Sequence, residues 1–255
     1  MQEEQPLKPS NILNIVATNQ GHRGLTPSKP KAKPLTTSDV QARLADGHYL
    51  VDARSSPAYG AGHIAGSLNV QMSSKEFEQR VGWVVPDSSP IILLTDSEED
   101  AQKCIYNMAF IGLDQFVAGF LQGGIDRWMN DGLPVEVTPQ MDVFTLHRKL
   151  SENGLKVLDA REQDEWDEGH IEGAIVMPYT QLAPQLGVPA RFDEIEYAKD
   201  QPIAVTCATG KRSSTAISLL LREGYTSLYN VTGGMEAWGN AKLPMVDASG
   251  QACGI

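Results

Sequence analysis

The chain has 255 residues, of which 41% are hydrophobic, and its formal net charge is -11 at pH 7. This length allows one large domain or two small ones, and the acidic balance argues against nucleic acid or an anionic membrane as the main partner. No apolar run approaches the roughly 18 residues of a membrane-spanning helix, and the acidic, polar start predicts no secretory signal.

The first 34 residues differ in composition from the rest and predict an extended linker, because proline-rich chain favours extended conformations. The prolines and lysines of this stretch are Pro6, Pro9, Pro27, Pro30 and Pro34, with Lys29, Lys31 and Lys33. Within it, residues 11–16 (Asn-Ile-Leu-Asn-Ile-Val) predict a short amphipathic turn that docks on a domain.

Two long segments of the chain are near copies of each other. Residues 51–54 (Val-Asp-Ala-Arg) lead to 62–66 (Gly-His-Ile-Ala-Gly), and 158–161 (Leu-Asp-Ala-Arg) lead to 169–173 (Gly-His-Ile-Glu-Gly) with the same spacing. Each copy later ends in Gly-Gly-x-x-x-Trp followed by Leu-Pro. A period of about 110 residues is too long for a solenoid repeat and matches a whole small domain, so the sequence predicts a tandem duplication.

Both copies predict the same order of elements. A helix leads to a short apolar strand, a glycine-containing turn and a second short strand, and then come a helix, a buried strand, another helix and a last strand. The predicted ranges are helices at 38–44 and 143–150, strands at 49–53 and 156–160, buried strands at 91–94 and 203–206, a helix at 213–222, and last strands at 116–120 and 228–231. Such alternation is typical of βα units in a parallel sheet with helices on both faces.

We therefore predict an α/β fold of two tandem domains, each a central parallel sheet flanked by helices. The predicted boundaries are an N-terminal extension at 1–34, a first domain at 35–136, a second at 137–248 and a tail at 249–255.

The segment 207–213 (Cys-Ala-Thr-Gly-Lys-Arg-Ser) is the candidate reactive loop. Its cysteine follows the buried strand of the second copy and precedes a helix, at the carboxyl end of the predicted sheet, where ligands bind. Backbone N–H groups and the helix N-terminus favour an anion at such a turn. These features lower the pKa of a thiol, and the thiolate is the nucleophile.

The duplication provides an internal comparison for this loop. When the two buried strands are aligned, Cys207 corresponds to Thr95, and 210–212 (Gly-Lys-Arg) correspond to 98–100 (Glu-Glu-Asp). The first copy lacks the thiol, the glycine and the positive charge, so it would repel an anion. Features shared by both copies are therefore interpreted as architectural, and features of the second copy alone as chemical.

Together, the Asp-x-Arg strand, the Gly-His-Ile-x-Gly segment, the Cys-x-x-Gly-x-Arg-Ser loop and the Gly-Gly-x-x-x-Trp ending resemble a tandem rhodanese, a family of sulfurtransferases. In that family often only the C-terminal copy carries the cysteine, as here. The N-terminal stretch, with Gly82 and Trp83, also resembles the rhodanese half of metallo-β-lactamase/rhodanese persulfide dioxygenase fusions, which implies a setting in sulfide oxidation.

The resemblance implies a two-step transfer through a persulfide on Cys207 without a cofactor. The implied donor is a small anionic sulfur compound, namely thiosulfate, a polysulfide or glutathione persulfide, and the acceptor is cyanide, a thiol or a protein. The expected substrate-binding residues are Ala208, Thr209, Gly210, Lys211, Arg212 and Ser213, with Arg161 as a further lining residue.

Specific roles follow for the members of this loop. The amides of 208–212 are expected to surround the sulfur, and Gly210 is expected to adopt positive φ. Arg212 either holds an anionic donor bidentately or bonds loop carbonyls. Lys211 adds charge at the mouth, and Ser213 either caps the helix or binds the leaving sulfite.

Two other functions stay open at this point. A cysteine-dependent phosphatase or arsenate reductase would use the same thiol, but such phosphatases place five residues between Cys and Arg, whereas Cys207 and Arg212 are separated by four. The smaller ring favours a single sulfur atom over a tetrahedral phosphate. A non-enzymatic sulfur carrier or regulatory module is the other alternative, with the acidic first copy as a docking surface.

Residues found in both copies are interpreted as scaffold. They are His63 and His170, Asp52 and Asp159, Arg54 and Arg161, and Trp128 and Trp238. The histidines have no metal-ligand spacing, so no metal site is expected.

The three cysteines are scattered and odd in number, which is typical of a reducing compartment, and we expect a cytoplasmic protein. Cys104 lies in an apolar helical pattern and is expected in the core. Cys253 lies in a glycine-rich tail, where it is either an ordinary terminal cysteine or a mobile thiol that receives sulfur from Cys207.

Overall fold

The computed structural model describes residues 8–9, 11–22, 30–151 and 154–253. Pro6, Pro27 and Lys29 of the predicted linker lie outside the described residues. The predicted N-terminal turn is a helix, α1 (Ile12–Asn19), and the buried Asn11 before it lies against Gly82. The docking of this segment on the first domain is therefore confirmed.

The first copy folds around a parallel sheet. Its strands are β1 (Pro34–Leu35), β2 (Tyr49–Asp52), β3 (Leu68–Asn69), β4 (Ile91–Leu94) and β5 (Val117–Leu121), in the spatial order β1-β5-β4-β2-β3. The helices around it are α2 (Thr37–Ala45), α3 (Ser56–Ala61), α4 (Phe77–Val84), α5 (Glu98–Ala109) and α6 (Gly124–Asn130), with a short 3-10 helix at Asp114–Phe116.

The second copy repeats this arrangement strand for strand. Its sheet consists of β6 (Gln140–Met141), β7 (Lys156–Asp159), β8 (Ile175–Val176), β9 (Ile203–Thr206) and β10 (Leu228–Val231), in the parallel order β6-β10-β9-β7-β8. Its helices are α7 (Val143–Leu150), α8 (Gln163–Glu168), α9 (Lys211–Arg222) and α10 (Gly234–Asn240), with 3-10 helices at Tyr179–Gln181 and Phe192–Glu194.

The predicted α/β fold of two parallel sheets is confirmed. All four residues of β4 and of β9 are buried, as expected for central strands of a sheet covered on both faces. Helix α9 begins at Lys211, two residues before the predicted start at Ser213, because Gly210 in the left-handed conformation is the N-cap residue. Among the described residues, no helix is both long and apolar enough to cross a membrane.

Helix α9 lies between the two sheets and joins the two copies into one core. Residues 213–220 of this helix are all buried, and its apolar side chains share a cluster with β3 and α4 of the first domain. Two of its buried hydroxyls find hydrogen-bond partners across the interface between the domains. Ser214 donates to Asn69 Oδ1 at 2.6 Å, and Thr215 donates to Asn69 O at 2.7 Å. The reactive loop at its N-terminus therefore faces the first domain.

The tail differs from the mobile segment that its glycines predict. Strands β11 (Met245–Val246) and β12 (Ala252–Cys253) form an antiparallel hairpin, and Val246 bridges to His170. Asp247 accepts hydrogen bonds from the backbone and hydroxyl of Ser249 in the connecting turn. Paired backbone groups thus hold Cys253 beside the second domain.

Candidate active site

The candidate nucleophile lies directly after β9, at the carboxyl end of the second sheet. Cys207 is 1% exposed, and the backbone N–H of Gly210 donates to its Sγ at 3.1 Å. Because Gly210 is also the N-cap residue of the twelve-residue helix α9, the partial positive charge of the helix N-terminus acts at the same place. The site therefore presents a donor and a dipole to a sulfur anion.

The predicted positive φ of Gly210 is confirmed, with a value of 89°. The conformation therefore favours glycine, and the space is also tight, since a Cβ at this position would lie 3.1 Å from the carbonyl oxygen of Val231. This geometry is what aims the Gly210 N–H back at the sulfur.

A buried polar chain continues from the sulfur into the second domain. The thiol of Cys207 lies 3.5 Å from Ser213 Oγ, which donates to Asn230 Oδ1 at 2.6 Å. Ser213 is inside the first turn of α9, so its predicted role as the helix N-cap is wrong. Its single hydroxyl proton points to Asn230 and can turn to the sulfur once the thiol has ionised.

Arg212 is held by a carboxylate that the sequence did not single out. Its two terminal nitrogens donate to the two oxygens of Glu165 at 2.5 and 2.7 Å, which is a bidentate ion pair. This contact raises the pKa of Arg212 further above its ordinary value and lowers that of Glu165. The pair connects the reactive loop to α8 and uses one N–H of each terminal nitrogen of Arg212.

The Gly-Gly ending of the repeat holds the other side of the loop. The amide of Met235 donates to Cys207 O at 2.7 Å, and the amide of Glu236 donates to Ala208 O at 3.0 Å. A Cβ on Gly234 would lie 2.1 Å from Cys207 O. The absence of a side chain there lets the start of α10 approach the loop closely.

The remaining loop residues face outwards. Thr209 is exposed, whereas Ala208 is partly covered, and Lys211 Nζ lies 3.5 Å from the carbonyl of Ser73 in the first domain. Ala208 and Arg161 line one cavity of about 330 Å³. Three glutamates, Glu165, Glu168 and Glu236, also line this cavity.

Cys253 lies near the same cavity. Its Sγ lies 3.7 Å from the carbonyl oxygen of Glu168, and a Cβ built on Gly169 would lie 3.2 Å from it. Glu168 and Gly169 line the cavity together with Ala208. The Cys253 thiol therefore lies beside the cavity that Ala208 of the Cys207 loop also lines.

The residues shared by both copies are structural, as expected. Arg54 pairs with Asp52 and donates to Gly62 O, and Arg161 pairs with Asp159 and donates to Gly169 O. Of the shared histidines, His63 stacks on Tyr59 and His170 stacks on Trp166. The shared tryptophans each donate a hydrogen bond from the indole N–H to a backbone carbonyl, Trp128 to that of Pro134 and Trp238 to that of Pro244. The arginine and histidine contacts shape the turns that follow β2 and β7, and the tryptophan bonds hold the segments that follow α6 and α10.

The corresponding loop of the first domain is built differently. Thr95 uses its hydroxyl within its own loop, where it donates to Ser97 O at 2.8 Å. Helix α5 then begins with three acidic residues, Glu98, Glu99 and Asp100. Negative charge thus fills the helix N-terminus that an anionic ligand would need.

The comparisons with known proteins agree with this arrangement. A family model described as "Rhodanese-like domain" matches residues 36–131 and 144–241. Thiosulfate sulfurtransferase GlpE of Pseudomonas aeruginosa is 31% identical over 106 residues, which cover 41% of this chain and 87% of GlpE.

Two other relatives carry different names. Protein HIGH ARSENIC CONTENT 1, mitochondrial, of Arabidopsis thaliana is 34% identical over 111 residues, or 42% of this chain and 65% of that protein. A tRNA uridine(34) hydroxylase of Chlamydia felis is 36% identical over 98 residues, or 37% of this chain and 29% of that protein. The chain thus spans less than two thirds of the length of these two relatives.

Proposed function

The chain belongs to the rhodanese-like family, with two domains of that family in tandem, and we propose that it is a sulfurtransferase that carries sulfane sulfur as a persulfide on Cys207. The observation that carries the proposal is the 3.1 Å hydrogen bond from the Gly210 N–H to the Cys207 sulfur at the start of α9. The first domain has the same strand and helix but neither the thiol nor this donor geometry, which limits the chemistry to the second domain.

The proposed reaction has two displacements at sulfur. The Cys207 thiolate attacks the outer sulfur of the donor, and the sulfur–sulfur bond of the donor breaks, so that its electron pair leaves with sulfite or with a thiolate. An acceptor thiolate or cyanide then attacks the outer sulfur of the persulfide, and the Cys207 thiolate is regenerated as the leaving group. This is covalent catalysis by an activated thiol.

The site residues have distinct roles in this reaction. The Gly210 N–H and the N-terminus of α9 stabilise the negative charge that the sulfur bears before attack and after transfer. Ser213 supplies a second donor once the thiol has ionised. Arg212 holds the loop through Glu165, so that the amide donor stays in place.

The charge of the cavity beside Ala208 disfavours thiosulfate as the donor. Of the charged groups on its wall, Arg161 is paired with Asp159, and Glu165 is paired with Arg212. The carboxylates of Glu168 and Glu236 leave an excess of negative charge beside Ala208. A small dianion such as thiosulfate, or a phosphate ester, is repelled there.

The decisive experiment is a donor panel read by mass spectrometry on the intact protein. Incubation with glutathione persulfide, a polysulfide or thiosulfate is expected to add one sulfur atom, and peptide mapping is expected to place it on Cys207. Cys253→Ser is the matched control and is expected to take up sulfur as the wild type does. Full sulfur transfer by Cys207→Ser would overturn the proposal, and so would release of phosphate from an aryl phosphate at rates that match or exceed sulfur transfer.

A sulfur carrier without rapid turnover is the second candidate, and the burial of Cys207 favours it. Because the Cys207 side chain is 1% exposed, small nucleophiles in solution reach a persulfide there only slowly. Under this alternative the persulfide persists with small thiols or cyanide but transfers its sulfur to one protein acceptor. Multiple turnovers with a small acceptor distinguish the enzyme from the carrier.

A further inference from the structure

The first domain reaches the reactive loop through one buried hydroxyl. Ser56, the first residue of α3, donates from Oγ to the carbonyl oxygen of Gly210 at 3.0 Å. Gln71 donates from Nε2 to that same Ser56 Oγ at 2.6 Å. Ser56 and Gln71 are each 6% exposed, so both bonds lie within the interface between the domains.

The carbonyl that accepts the bond from Ser56 belongs to Gly210, the same residue whose N–H donates to the Cys207 sulfur. Glycine in the left-handed conformation is held only weakly by its own backbone preferences. Here the N–H of Gly210 is fixed on the sulfur and its carbonyl oxygen on Ser56, with Asn230 Nδ2 a more distant donor at 3.4 Å. Ser56 therefore restrains the residue that aims the amide at the nucleophile.

The duplication shows that the fold itself does not need these polar side chains. With the Asp-x-Arg segments aligned, Ser56 corresponds to Gln163, which is exposed and bonded to Asp167 within α8. With the Gly-His-Ile segments aligned, Gln71 corresponds to Pro178, which can offer no side-chain donor. The second domain forms the same sheet without them, so their use is specific to the face that meets the Cys207 loop.

We propose that Ser56, oriented by Gln71, is a positioning residue for the Cys207 loop, supplied by the domain that lacks the cysteine. This inference rests on the proposed function, because it concerns the same nucleophile. It assigns the first domain a role in setting the reactivity of Cys207, beyond covering the site.

The test measures how fast Cys207 is alkylated by iodoacetamide across a range of pH, with the modified peptide quantified by mass spectrometry. In the full chain, Ser56→Ala is expected to slow alkylation at neutral pH about threefold to tenfold, the effect of weakening one hydrogen bond to a charged group, and to move the midpoint of the pH profile upwards. Ser56→Thr retains the hydroxyl and is expected to recover most of the rate.

Two matched controls distinguish a specific effect of Ser56 on the Cys207 loop from a general weakening of α3 or of the interface between the domains. Ser55→Ala makes the same chemical change one residue earlier, where the exposed hydroxyl caps α3 through a long bond of 3.4 Å from the amide of Ala58. Arg222→Ala removes an interdomain bond to Gly66 O at the far end of α9. Both variants are expected to keep the alkylation rate and pH midpoint of the wild type.

Alkylation of Ser56→Ala at the wild-type rate with an unchanged midpoint would overturn the inference, as would an equal slowing by Arg222→Ala. If Ser56→Ala does not fold, Gln71→Met takes its place and is expected to slow alkylation about twofold to threefold, since it removes only the donor that orients Ser56. Alkylation needs no sulfur donor. A chain that takes up no sulfur therefore refutes the proposed function and leaves this test intact.

Discussion

Breaking the ion pair between Glu165 and Arg212 tests whether Arg212 serves the loop or the substrate. The substitution Glu165→Gln keeps the size of the side chain and removes its charge. Arg212 then remains beside Ser213 at the start of α9 without the carboxylate that receives both of its terminal nitrogens. We expect a less stable protein and slower sulfur uptake on Cys207.

The magnitude follows from how far the pair is buried. The side chains of Arg212 and Glu165 are 18% and 35% exposed, between a surface pair and a fully buried one. Loss of one partner costs at most about 1 kcal/mol at the surface and about 3–5 kcal/mol in the interior. With solvent screening of Glu165 taken into account, we expect about 1–2 kcal/mol, or roughly 2–8 °C in Tm at about 2–4 °C per kcal/mol.

The pH dependence gives this prediction a second readout. The hydrogen bond from Arg212 lowers the pKa of Glu165, so the pair stabilises the folded state above the ordinary glutamate value of 4.5 and loses this effect as pH falls through the lowered value. The stability difference between wild type and Glu165→Gln is therefore expected to be complete at neutral pH and to shrink in acid.

The assay combines urea unfolding at several pH values with the rate of sulfur uptake measured by intact mass. Glu194→Gln is the matched control, because Glu194 pairs with Arg191 at the surface, where the side chains are 44% and 43% exposed. This control is expected to change stability by less than about 0.5 kcal/mol and to leave uptake unchanged. If Glu165→Gln unfolds like the control and takes up sulfur at least as fast as the wild type, the structural role of Arg212 is refuted.

Three further predictions follow from the described residues. Burial raises the pKa of Cys104 to about 12, so native protein at neutral pH is expected to be alkylated at Cys207 but not at Cys104, and equal labelling in peptide maps would contradict this. Gly210→Ala is expected to destabilise the chain by about 1 kcal/mol or more and to abolish sulfur uptake, because its Cβ would lie 3.1 Å from Val231 O at a φ of 89°; uptake at the wild-type rate would refute the loop geometry. Thr95→Cys in a chain that also carries Cys207→Ser is expected to take up no sulfur, because three acidic residues follow in the first turn of α5, and a sulfur adduct on the new thiol would show that the acidic turn does not disable the first domain.

Patterns within short segments of the sequence were sufficient to predict the central strands and the candidate nucleophile. The apolar runs at 91–94 and 203–206 predicted β4 and β9 with their observed bounds, because central strands of a parallel sheet are buried on both faces. The glycine three residues after Cys207 predicted the left-handed turn, since only glycine adopts that conformation without strain. Comparison of the two copies also separated structural histidines from the one reactive loop.

The contacts that complete the site could not be predicted in this way. Ser56 meets Gly210 across 154 positions, and Glu165 meets Arg212 across 47. The tail hairpin that holds Cys253 beside Glu168 also depends on a distant surface. No periodicity or spacing in a single sequence indicates which loops meet over such distances.

The sequence by itself thus determined the duplication, the two parallel sheets and the position of the thiol, because each depends on patterns within a few residues or on repetition. Only the tertiary structure decided what surrounds the thiol. Helix α9 packs between two sheets, and this packing brings a hydroxyl of the first domain to Gly210. Within the second domain, a carboxylate of α8 binds Arg212, two residues further along the chain.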